Sequence, residues 1–185
     1  NVGSKVIMAM TLITTNTGSG VANSAFTSSI DSTYKLYIFK FIDVNPATDE
    51  KLFGFNGSTD SGSNYNVTKT TTYFRATHQE DDGGTPTVEY HTGLDIAQGT
   101  GYQTLTSYVA NDADSSIVGT LWLFNPSNTT YVKHFYSTTN HMEYRDMTVE
   151  SFVAGYFNTT SAIDAVDFKM DAGNMDATIK MYGVG

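Results

Sequence analysis

The chain is 185 residues long, with 19 acidic against 10 basic side chains, no cysteine, 39% hydrophobic residues and 13% aromatic ones. That length suits one domain of β-sandwich size, and the apolar share suffices for a core, which excludes wholesale disorder. The net charge of −9 disfavours nucleic acid, whose phosphates must be met by clustered Lys and Arg, and the lack of Cys removes disulfides, thiolate metal sites and cysteine nucleophiles together.

Only 16% of residues are charged, and the polar share lies instead in Thr, Ser, Asn and Gly. That composition is poor for helices and good for strands and turns. In chain order, the first expected strand covers 5–14, within an N-terminal stretch, 1–33, that reads as a strand or arm involved in assembly. Its apolar-leaning part, 6–13, is too short to cross a bilayer. No basic stretch followed by an apolar run opens the sequence, so neither a signal peptide nor membrane insertion is expected.

The run 34–42 puts Leu36, Ile38 and Ile42 on one face and Tyr37, Phe39 and Phe41 on the other. Two apolar faces predict a strand covered on both sides or lying at a subunit contact. Further strands are expected over 52–55, 66–77, 87–90, 102–108, 119–124, 131–136 and 148–157. The run 119–124, GTLWLF, is again apolar on both faces and carries Trp122, the single tryptophan. At the end, Val166, Phe168 and Met170 alternate with Asp167 and Lys169, and Ile179 and Met181 alternate with Lys180. With a turn at 171–174 between them, 162–184 reads as a terminal hairpin. About eleven runs broken by Gly, Asn, Asp and Ser turns predict an all-β, antiparallel sandwich, jelly-roll-like, in a single domain over 1–185.

Candidate sites are few. Glu80-Asp81-Asp82 and Asp112-Ala113-Asp114 group carboxylates as a Ca²⁺ loop would. Neither has EF-hand spacing, and solvated turns explain the same residues. His78, His91, His134 and His141 form no HExxH or other metal spacing, no GxSxG elbow marks a nucleophile, and no phosphate-cradling glycine motif occurs. The expectation is therefore no catalytic, cofactor or metal residues, hence a non-enzymatic protein. Asn56, Asn66, Asn128 and Asn158 head Asn-x-Ser/Thr triplets, as chance allows in so Asn- and Thr-rich a chain. The aromatic content, 12 Tyr, 11 Phe and one Trp, is more informative, because such rings anchor subunit contacts or stack on sugars. Tyr37, Phe39, Phe41 and Trp122 are the expected interface residues. Tyr65, Tyr73, Tyr102, Tyr131 and Tyr144, near turns or polar surroundings, are expected to be partly exposed.

The C-terminal stretch NTTSAIDAVDFKM (158–170) followed by DAGNMDATIKMYGV (171–184) resembles the ending of a family of tailed-bacteriophage virion structural proteins. That family's pattern is roughly NTTSAI-AV-F-MSSGNIDSGTIKLYGV. The segments NPATD (45–49), STDSGSNYN (58–66) and LFNPS (123–127) are similar to it as well, so the resemblance spans about 34–185. Asp171-Ala172 stand where the pattern has two serines, and the stretch around Asp176-Ala177 is one residue shorter. The resemblance implies a virion component made in the host cytoplasm, on a tail fibre or as a head decoration. It also implies a homotrimer and contacts with other virion proteins. A carbohydrate-binding module recognising a host-surface glycan is the alternative.

Overall fold

The computed structural model describes residues 9–185, and it contains no helix among them. Twelve strands follow in order: β1 Met10–Val21, β2 Ser24–Phe26, β3 Leu36–Pro46, β4 Phe53–Ser58, β5 Lys69–Gln79, β6 Thr87–Tyr90, β7 Gln103–Thr104, β8 Ile117–Phe124, β9 Lys133–Glu143, β10 Met147–Phe157, β11 Ala165–Met170 and β12 Met175–Val184. All pair antiparallel, in an eight-stranded sheet β1-β12-β3-β8-β9-β10-β5-β6 and a four-stranded sheet β2-β11-β4-β7. The chain is an all-β sandwich.

The strand order shows how it is built. Taken alone, β1-β12-β3-β8 facing β2-β11-β4-β7 is the eight-strand, two-Greek-key jelly roll. Two insertions enlarge it: β5–β6 between β4 and β7, and the β9–β10 hairpin between β8 and β11. Both add to the first sheet beyond β8, which doubles its width and leaves β1 and β6 as its edges.

The core lies between the sheets and is aromatic. Phe168 of β11 sits at its centre, with ring centroids 5.3 Å from both Phe39 and Phe41 and about 6 Å from Phe26, Phe53 and Phe55. Under the inserted strands the cluster continues through Phe135 and Phe157, 5.1 Å apart, and Phe55 joins the two halves. Alternation places these rings: odd positions of β9, β12 and β3 as far as Phe41 point inward, and in β3 a register shift after Phe41 turns Val44 inward instead.

The expected strand over 5–14 begins within the described residues at Met10 and runs on to Val21; its residues 5–8, like 1–8 of the arm, lie outside them. The run expected over 102–108 shortens to Gln103–Thr104, because Gln103 turns inward to bond Leu94 O and the Thr71 hydroxyl. The run expected over 131–136 extends to Glu143. Its inward hydroxyls find carbonyls, Ser137 donating to Thr120 O at 3.0 Å and Thr139 to Leu105 O at 2.7 Å. The turn expected at 171–174 is present, with Gly173 at φ 78°, but 162–184 is not a hairpin. β11 pairs with β2 and β4 in the four-stranded sheet, and β12 with β1 and β3 in the eight-stranded one. The turn therefore carries the chain from one sheet to the other, and the apolar faces of both strands meet in the core.

Candidate functional site

Three of the four expected interface residues belong to the core. Tyr37, Phe39 and Phe41 are 0%, 0% and 2% exposed, because they face the four-stranded sheet rather than the solvent. Phe39 and Phe41 pack on Phe168, and the Tyr37 hydroxyl donates to Asp31 O and accepts from the Asp31 N–H. They are not available to a partner of the folded chain. Trp122 does face outward, half-buried. Tyr73, expected to be partly exposed, is likewise sealed in the interior, bonded to the Ser151 hydroxyl at 2.7 Å.

The outward face of the eight-stranded sheet therefore carries the accessible aromatic side chains. Trp122 stacks on Tyr136 at 4.6 Å, and Phe124 stacks on the same Tyr136 at 5.5 Å. One strand further, His134 lies 5.9 Å from Tyr156, and beyond it Phe74 and Phe152 stack at 4.7 Å. Strand register makes these contacts: Tyr136 sits between Trp122 and Ala154, and Phe152 between Thr138 and Phe74. Ala154 places little bulk between the rings, which opens a depression of about 390 Å³ walled by Phe124, His134, Tyr136 and Tyr156. A second basin of about 560 Å³ continues from the shared Phe124 and His134 to Tyr131, Asn125 and Thr130.

At the other end of the sheet, β1 pairs with β12 alone among the described residues. From Met10 to Val21 it contains no charged residue and no proline, and none of its side chains is fully buried. Met10 and Leu12 stand about half exposed beside this open edge.

The titratable groups withdrawn from solvent serve the fold. His141, on β9, is buried against the Ser107 hydroxyl at 3.3 Å, and burial first, with Arg75 nearby second, lowers its pKa to about 3. Lys69 and Lys133 flank Phe157 across β5, β10 and β9. Each ammonium donates its hydrogen bonds to carbonyls, Gly101 O for Lys69 and Tyr131 O and Thr159 O for Lys133, and that of Lys69 also lies over the Phe157 ring. Desolvation lowers Lys69 to about 7 and pushes Lys133 in the same direction. The native state therefore resists protonating Lys69 from pH 10.5 down to about 7, and its stability falls through that window as pH decreases. Lys69→Met is expected to raise stability at pH 7 by about 1–2 kcal/mol, as when a buried charge gives way to a hydrophobe, read as a shifted urea midpoint.

The acidic turns bring no ligand set together. Asp81 accepts from the Gly83 N–H at 2.8 Å and Asp82 contacts His78, while Asp112 uses its carbonyl to close a turn with the Ser115 N–H. Among the described residues no three of His, Asp and Glu converge as a metal site. The groove residues Tyr136 and Tyr156 go unmarked in the sequence; the signal for them is strand parity, since His134 and Tyr136 share the parity opposite to buried Phe135. No protein-family model, curated protein or solved structure matches the chain.

Proposed function

We propose that this chain is a non-enzymatic structural subunit of a tailed-phage particle, on a tail fibre or as a head decoration, which assembles with copies of itself through the free edge of β1. The single observation that supports this is that edge. An open strand presents a row of unpaired N–H and C=O groups, and soluble monomers blunt such rows with charges, prolines or cover. Here twelve residues offer neither charge nor proline. For a chain of net charge −9, self-association must avoid like-charge contact, and β1 brings no charge of its own to such a contact. The particle itself is carried by the C-terminal resemblance to virion structural proteins.

A β1 strand paired with its own copy gives a two-fold contact, whereas β1 laid on a different surface of the next copy gives a ring. The trimer implied by the resemblance needs the second. Native mass spectrometry at micromolar concentration is expected to show an oligomer. Thr15→Lys with Thr17→Lys, both on the exposed side of β1, should leave the fold intact and shift the mass to monomer, since lysines on an edge strand oppose its burial against another chain whichever surface it meets. A wild-type chain that is monomeric under those conditions would overturn the proposal.

A further inference from the structure

We propose that the groove on the outward face of β8, β9 and β10 binds a segment of neutral polysaccharide. It lies where β8 meets the inserted β9–β10 hairpin, remote in strand order from the β1 edge, so it goes beyond the assembly role and does not depend on it.

Three features of the lining choose the ligand. The first is charge. Neither basin is lined by any Asp, Glu, Lys or Arg, on a molecule of 19 acids and 10 bases. An anionic or cationic ligand would find no counter-charge there, and a neutral one loses nothing by its absence. The second is ring presentation. Tyr131 is 69% exposed and Tyr136 44%, held by Trp122 and Phe124 behind it, so flat faces stand ready before a ligand arrives. The C–H faces of pyranose rings stack on such surfaces, and side chains already ordered by their neighbours lose little entropy on binding.

The third feature is polar, and it argues for a hydroxylated ligand over a purely apolar one. Thr70, Thr72 and Thr130 place hydroxyls on the lining. Asn125, held at φ 48° where β8 ends, also lines the second basin. Alternating flat apolar faces and equatorial hydroxyls match a stacked ring with a hydroxyl rim. The two contiguous volumes, about 390 and 560 Å³, fall in the size range of small-ligand clefts, about 300–1,000 Å³.

The test is titration of the intact chain with neutral gluco-, manno- and galacto-oligosaccharides, and with an oligogalacturonate as the acidic control. Binding is read by calorimetry and by fluorescence of Trp122, the sole tryptophan, which stacks on the groove wall. A neutral series should bind and perturb Trp122, while the acidic one should not. Tyr131→Ala should weaken binding about tenfold through the lost stacking surface, and Ala154→Leu, which fills the groove floor without removing a ring, should abolish it. Both residues are exposed, so thermal midpoints should hold. Failure of every neutral series, equal binding of the acidic control, or binding that survives both variants overturns the proposal. So does a change of oligomeric mass in these variants with no saccharide effect, which would make the groove a contact between copies. Loss of the oligomer in the Thr15→Lys, Thr17→Lys variant with saccharide binding retained separates this site from the assembly edge.

Discussion

Phe168→Ala is expected to destabilise the chain by about 3–5 kcal/mol, the range for removing a fully buried aromatic side chain from a packed core. Five other phenylalanine rings surround it within 6.2 Å, contributed by β2, β3 and β4. Neighbours on both sheets must move to fill such a void, and each is held by its own strand register, so collapse is incomplete and the cavity persists. Against a typical domain stability of about 5–15 kcal/mol, this loss approaches unfolding. Urea denaturation followed by Trp122 fluorescence gives the value. Phe168→Leu, which keeps most of the volume, should cost less than half as much. If alanine costs under about 1.5 kcal/mol, the two sheets do not share this core.

The same ring explains what the sequence could and could not tell. Its alternation with Asp167 and Lys169 is readable, and so is the turn that follows, but not that this turn joins two sheets instead of two paired strands. The doubly apolar pattern of 34–42 was also readable as a strand covered on both sides. Which side held the core was not, because that depends on Phe168, Phe53 and Phe55, which arrive from distant segments. Tyr37, Phe39 and Phe41 were therefore placed at an interface when they line the interior.

Polar strands hid for a related reason. Ser137, Thr139 and His141 look like solvent residues, and they are buried because Thr120 O, Leu105 O and the Ser107 hydroxyl await them, partners that exist only after folding. The groove was illegible in the same sense. Its walls come from Phe124, Tyr136 and Tyr156, and their neighbourhood depends on the register of β8, β9 and β10. The jelly-roll frame was inferred from strand count, whereas the doubling of one sheet by two insertions follows from pairings no local pattern encodes.

Acid should begin to destabilise this protein well above the pH at which its carboxylates protonate, and His141 is the reason. In the unfolded chain the imidazole takes up a proton near its ordinary 6.5, while in the native state burial, helped by the Arg75 charge, holds that step down to about 3. Between those values the unfolded state binds the extra proton, so stability rises with pH there and falls as pH drops from 6.5 towards 3. At 1.36 kcal/mol per unit, the native state should lose about 2 kcal/mol between pH 7 and pH 5, and about 4–5 kcal/mol by the foot of the window.

Other groups act elsewhere. Asp60, whose pKa is lowered to about 2 by its bonds with Asn64 and Ser58, works the same way only at lower pH. Asp167, raised by burial, becomes easier to protonate in the native state and opposes the loss around and above pH 4. His141→Asn keeps a polar group beside Ser107 and removes the titration, so its urea midpoint should be nearly flat between pH 7 and pH 5 while that of the wild type falls. Equal slopes in the two proteins would mean that His141 is protonated in the native state. The His141 C–H resonances provide a direct check: they should stay in their neutral positions down to pH 4 for as long as the chain is folded.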